Sequence, residues 1–133
     1  MEIKQEFANV FNVRMFTQQF FEKDREQWII LLHDALGSSA QWKSLPQLLF
    51  EQTECNVLSY DRKGYGRSSG SVLPRSIHFM HEEARNDLPE LLKILNINKP
   101  IVLGHSDGGS IALMFAKENN CRAVISIAAH AYV

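Results

Sequence analysis

Pro100-Ile101-Val102-Leu103-Gly104-His105-Ser106-Asp107-Gly108-Gly109 is the stretch on which the reading of this chain turns. The apolar run before Gly104 has the length and composition of a strand buried on both faces. After Gly109, Ile111, Phe115 and several alanines form an apolar helical stripe that ends near Asn119-Asn120. Between them stands G-x-S-x-G, in which small residues flank a serine because the serine sits on a strained strand-to-helix turn. The spacing alone recurs by chance; the buried strand before it and the amphipathic helix after it give it weight. In that geometry the Ser106 hydroxyl projects from the carboxyl end of the strand as a nucleophile. The Asp107 N–H, at the start of the helix, can donate to a developing oxyanion with the helix dipole in support. The competing readings are an ordinary Gly-rich turn and a dinucleotide-type phosphate loop, for which G-x-G-x-x-G is missing. Asp107 as nucleophile is disfavoured, being one residue past the apex.

Working outward, the chain alternates strand and helix patterns, which suggests a largely parallel sheet. Trp28-Ile29-Ile30-Leu31-Leu32 reads as a central strand, Asn56 to Tyr60 as a second, and Ala123 to Ala128 as the parallel strand after the elbow helix. Phe7 to Phe21 mixes apolar and polar residues in rough alternation, consistent with two short strands or a hairpin half-exposed at a sheet edge. Trp42, Leu45, Leu48 and Leu49 predict a helix from Trp42 to Glu51. Ala84, Leu88, Leu91, Leu92 and Leu95 predict another, either kinked by Pro89 or restarting there under an Asp87 cap.

Composition bounds the function. At 133 residues, 45% hydrophobic and 22% charged, the chain reads as one unit spanning 1–133. Its 14 Lys and Arg balance 15 Asp and Glu, and no run of one sign marks a face for nucleic acid or an anionic membrane. The charged start Met1-Glu2-Ile3-Lys4 lacks the apolar core of a secretory signal, and no apolar run approaches the roughly 18 residues of a membrane helix. A cytoplasmic protein is expected. Cys55 and Cys121 lie far apart without metal-ligand spacing and are expected as buried free thiols.

Three motifs in order, His33-Asp34-Ala35-Leu36-Gly37-Ser38, Asp61-Arg62-Lys63-Gly64-Tyr65-Gly66-Arg67-Ser68 and Gly104-His105-Ser106-Asp107-Gly108-Gly109, resemble the α/β-hydrolase family. The resemblance implies an α/β fold, a mostly parallel sheet with helices on both faces, truncated here after the strand that follows the elbow helix. It implies that the loop after the central strand supplies the second oxyanion N–H, from Ala35, with Leu36 as the fallback donor. This sequence departs from the pattern in carrying Asp34 where glycine is usual. The Asp61 to Ser68 segment is given a role in shaping the loop behind the elbow, and His33 one in organising its own loop. His78 and His81 belong to the start of the long helix. His105 lines the pocket, and His130 is the histidine to watch as a substitute base.

In this fold the triad runs Ser, then Asp or Glu, then His, on later loops. Beyond Asp107 the only carboxylate is Glu118, within the elbow helix. The expectation is therefore the first half of a serine hydrolase acting on an ester or similar small-molecule acyl substrate: a truncated form, a split gene or a remnant, inactive alone. No metal or organic cofactor is implied. The apolar last strand, left at the sheet edge, is expected to invite self-association. Peptidases, thioesterases and carbon–carbon bond hydrolases share the elbow, so the substrate is not legible. The rival class is a non-catalytic ligand-binding or interaction module derived from a degenerate hydrolase.

Overall fold

The computed structural model describes residues 1–35, 37–69 and 78–129. Six strands form one sheet in the order β1-β2-β4-β3-β5-β6. They are β1 (Glu2–Val10), β2 (Val13–Phe21), β3 (Trp28–Leu32), β4 (Asn56–Tyr60), β5 (Ile101–His105) and β6 (Ala123–Ile127). β3 to β6 run parallel, whereas β1 and β2 form an antiparallel hairpin whose second strand pairs antiparallel with β4. The expected hairpin is present, but it starts at Glu2 rather than Phe7, and only β1 is an edge: β2 lies inside the sheet. Phe11 and Asn12 make the turn with φ of 49° and 66°. Two left-handed residues in a row match the right-handed twist of the flanking strands, which is why a two-residue loop suffices.

The two faces are read off the period-two pattern. Ile30, Leu32, Leu58, Tyr60 and Val102 point to one side and meet Ala84, Leu88, Leu91, Ile111 and Phe115; Ile29, Leu31, Val57 and Leu103 point to the other and meet Phe50. Helices therefore cover both faces, α1 (Leu45–Gln52) on one and α3 (Leu88–Ile94) with α4 (Asp107–Glu118) on the other.

Two helices depart from the sequence reading. The stretch from Trp42 is not one helix: a 3₁₀ turn (Ser39–Trp42) ends at Lys43, with φ 52°, and α1 restarts at Leu45 with Pro46 in its first turn. Proline has no N–H to give and fits a helix only where none is needed, so Pro46 sets the start. The buried face is then Pro46 and Phe50, and Leu48 is exposed. At Pro89 the chain neither breaks nor caps. α2 (Phe79–Glu82) runs through a π-helical segment (Glu83–Asp87) into α3, and Asp87 is itself helical and makes no side-chain capping bond. The Leu88 N–H reaches back to the Glu83 carbonyl, and this wider turn relieves the contact between the proline ring and the preceding turn.

Cys55 is buried as expected, but Cys121 is only partly so, since it precedes the outermost strand; both are free thiols. No helix among the described residues is long and apolar enough to cross a membrane.

The sheet order assigns very different weight to its isoleucines. Ile30 is fully buried at the centre, whereas Ile125 on β6 is 47% exposed. Ile30→Ala should cost about 3–4 kcal/mol in urea unfolding, and Ile125→Ala less than about 1 kcal/mol. Equal losses would mean that β6 is covered.

Candidate active site

The strand order turns back at β3. The chain passes from β3 to β4 on one side and returns through α2 and α3 to place β5 on the other. In open α/β sheets the crevice at such a switch point, beyond the carboxyl ends of the strands, is where ligands bind. Here it brings together the loop after β3, with Asp34 and Ala35, and the turn after β5, with Ser106; the register pairs Leu32 with Gly104 at the last step.

Ser106 has φ 57° and ψ −118°, a region where only glycine is at ease, and it caps α4. Its N–H donates to the Ile127 carbonyl at 2.8 Å, and its own carbonyl accepts from the Ser110 N–H at 3.1 Å. Three glycines let the surrounding backbones close. A Cβ on Gly104 would stand 2.7 Å from the Gly109 nitrogen, one on Gly108 2.7 Å from the His33 carbonyl oxygen, and one on Gly109 2.8 Å from Ser126 Oγ. The first turn of α4 is therefore seated directly on the end of β3 and the start of its loop. Asp107 is buried in that first turn of α4.

The loop after β3 is tied from below. His33 is fully buried; its Nε2 accepts from the Arg62 backbone N–H at 2.9 Å. That leaves the ring proton on Nδ1, which donates to the Asp34 carbonyl at 2.7 Å. Burial, with the Arg62 guanidinium beside the ring, pushes His33 down from 6.5 to about 4. Neutral and doubly bonded, it organises the loop, as the sequence suggested. Arg62 is also fully buried: Nη1 donates to both carboxylate oxygens of Glu83, at 3.0 and 3.2 Å, and Nη2 to the Asp34 carbonyl at 3.1 Å. Burial works against that charge, but Glu83 beside it holds Arg62 above its ordinary value.

The Asp61 to Ser68 loop is structural, as expected. The Asp61 carboxylate accepts from the backbone N–H groups of Ser39 at 2.6 Å and Arg67 at 2.8 Å. Ser68 Oγ donates to the Asp61 carbonyl at 2.5 Å and accepts from the Phe16 N–H at 2.8 Å, pinning the loop to β2. His78 precedes α2 and His81 lies within it. His105 lies beside the crevice, its Nδ1 3.5 Å from Asp34 Oδ2, so the departure from glycine at position 34 is in contact with the residue before Ser106. Leu36 and His130, the fallback donor and the substitute base, lie outside the described residues. Sequence reasoning missed Arg62 and Glu83; the available signal was an acid, Glu83, adjoining Ala84 on the apolar helical stripe.

A concave surface lined by Pro89, Leu92, Ile97, Pro100 and Phe115 lies at the opposite end of the parallel strands. Its lining adds Lys93 and Lys99 but no serine, cysteine or carboxylate.

The histidine supplies a test. Between pH 6.5 and about 4 an unfolded chain takes up a proton that folded His33 refuses, so this group lowers stability as pH falls through that window. By NMR, the His33 ring should remain the neutral Nδ1–H tautomer from roughly pH 8 to about pH 5. Protonation near the ordinary histidine value would mean the ring is not held as described.

Residues 27–133 match the family model described as alpha/beta hydrolase fold. Among curated proteins, the chain is 32% identical over 88 residues to sn-1-specific diacylglycerol lipase ABHD11 of Danio rerio, covering 66% of this chain and 26% of that protein. It is 37% identical over 95 residues to the putative carbamate hydrolase RutD of Agrobacterium fabrum, covering 70% and 34%. The chain thus spans between a quarter and about a third of the length of these relatives. A crystal structure described as a predicted CIB-like hydrolase from Thermoplasma acidophilum superposes with a TM-score of 0.85 at 22% identity, over 97% of this chain and 64% of that one. On the family match over residues 27–133, with the shared fold beside it, this chain belongs to the α/β-hydrolase fold family.

Proposed function

We propose that these residues form the nucleophile-bearing part of a serine hydrolase that acts on an ester or similar acyl substrate. Ser106 Oγ attacks the acyl carbon, and the backbone N–H groups of Asp107 and Ala35 stabilise the oxyanion that develops. The observation that carries this reading is the backbone of Ser106, at φ 57° between a buried strand and a helix N-terminus. Strain of this kind persists only where the surroundings over-determine it, and it is the device that lifts a side chain clear of the sheet. The relatives give support of a coarser kind, one being named a diacylglycerol lipase and another a putative carbamate hydrolase.

The acid and base of such a triad come from later loops, so the 133 residues alone are expected to turn over substrate slowly if at all; loss of triad members costs roughly four to six orders of magnitude. Two free thiols fit a reducing compartment and support a cytosolic setting. The non-catalytic alternative draws on one observation, Asp34 in place of the usual glycine.

Fluorophosphonate labelling separates the two. The protein expressed from its complete gene should label, Ser106→Ala should not, and the isolated 133 residues should label at least about a thousandfold more slowly. No labelling of any form would favour a binding module. Among the described residues β6 has a neighbour on one side only, with Ile125 and Ile127 exposed. The isolated chain should therefore sediment partly as dimers, and Ile125→Lys should restore the monomer; a monomer without the substitution would end the edge-pairing proposal.

A further inference from the structure

The Arg62–Glu83 pair needs a reason to exist. Its side chains are 0% and 6% exposed, and a pair so buried seldom repays its desolvation against apolar residues of the same volume. It is also imperfectly satisfied: Arg62 Nε is buried without a hydrogen-bond partner among the described residues. Stability is a poor explanation for such an arrangement, so what it holds in place becomes the question.

It holds one peptide group. The Asp34 carbonyl receives two donors, His33 Nδ1 from its own loop and Arg62 Nη2 from the loop after the neighbouring strand. A peptide group is planar and trans, so fixing its C=O fixes the direction of the N–H across the bond, and the N–H of this peptide is that of Ala35. Arg62 grips the turn twice, its backbone N–H on the His33 ring and its guanidinium on the Asp34 carbonyl. The guanidinium is in turn clamped by both Glu83 oxygens and lies 4.8 Å over the Tyr65 ring. Glu83 opens the π-helical segment, and within the same turn Glu83, Ala84 and Leu88 are all buried. π-turns are rare and recur at functional sites; this one lets an acid face inward without displacing the apolar stripe.

We propose that Arg62, clamped by Glu83, is a positioning residue for the oxyanion hole, holding the Asp34–Ala35 peptide so that the Ala35 N–H is preset for the transition state. The proposal rests on the assignment of Ala35 as a donor and Ser106 as nucleophile. Arg62 touches no substrate; it acts through a backbone group. A substrate carbonyl gains most from that N–H only when it has become an oxyanion, so loosening the peptide lowers kcat and leaves KM in place.

The test uses the protein expressed from its complete gene, a p-nitrophenyl ester as substrate and the fluorophosphonate as probe. Arg62→Lys keeps the charge opposite Glu83 but loses the fork that reaches Asp34. It should lower kcat and labelling rate roughly 10- to 100-fold with KM within about twofold. The double change Arg62→Met with Glu83→Leu removes the pair without stranding a charge, and should melt at or near the parent temperature with the same kinetic loss. Ala35→Pro deletes the N–H itself, and in that background Arg62→Lys should cost less than about twofold more, because both changes remove one interaction. Full additivity of the losses, or parent-like kcat in folded Arg62→Lys or in the double variant, would overturn the proposal while leaving Ser106 standing. A parent protein that neither labels nor hydrolyses the ester would bring down the serine-hydrolase reading, and this proposal with it.

Discussion

Backbone meets backbone where α4 sits on β3, and nearly everything about the site follows from that contact. Gly108 lies against the carbonyls of Leu32 and His33, and Gly104 against Gly108 and Gly109, at distances that no side chain could occupy. Because the helix starts so close to the sheet, the turn between β5 and α4 has no room to relax, and Ser106 takes the left-handed geometry that is left. The same closeness sets the start of the β3 loop beside the helix N-terminus, so two backbone segments from different parts of the chain share one crevice. Glycine is required here for what it lacks, and the strain at Ser106 is the local cost of a tight global fit.

The polar groups behind the crevice serve a different end. Asp61, Ser68, His33 and Arg62 are buried, and each bonds to backbone: Asp61 to Ser39 and Arg67, Ser68 to Phe16, His33 and Arg62 to Asp34. Side chains that spend their hydrogen bonds on main-chain groups turn irregular loops into fixed ones, which a sheet ladder cannot do beyond its own strands. A buried imidazole held neutral and a guanidinium held charged are compatible side by side because burial keeps the imidazole uncharged while Glu83 balances the guanidinium.

Much of this was legible in the sequence, and for identifiable reasons. The elbow announced itself because its strain demands glycines at fixed offsets, and β3, β4 and β5 because short runs centred on Ile, Val and Leu and bounded by polar loops have few other readings. The α2–α3 stripe from Ala84 to Leu92 held because its period is physical. What was not legible depended on groups distant along the chain. Arg62 sits in a polar, Gly-rich stretch whose composition gives no sign of burial; only the packing of the π-helical turn against it shows that it is buried. An i→i−5 turn leaves no mark in composition, so the continuity through Pro89 could not be seen. Helical spacing ran on across Lys43 and Ser44 because the apolar count ignored where Pro46 must place a start. The contact of Asp34 with His105 required knowing that β3 and β5 are neighbours, which pairing over a long separation decides.

That pairing has a kinetic side. β3 finds β4 within one helical crossover, but its other neighbour is β5, whose Ile101 is in register with Ile29 about seventy residues earlier. A ribosome making this chain releases the central strand long before its second partner exists. Until β5 arrives, Ile29 to Leu32 present an apolar, unpaired edge of the kind that holdase chaperones bind and that seeds aggregation. The switch point that creates the crevice for chemistry is thus also the strand pairing most distant in sequence among the described strands, and the crevice cannot exist until that seam is shut.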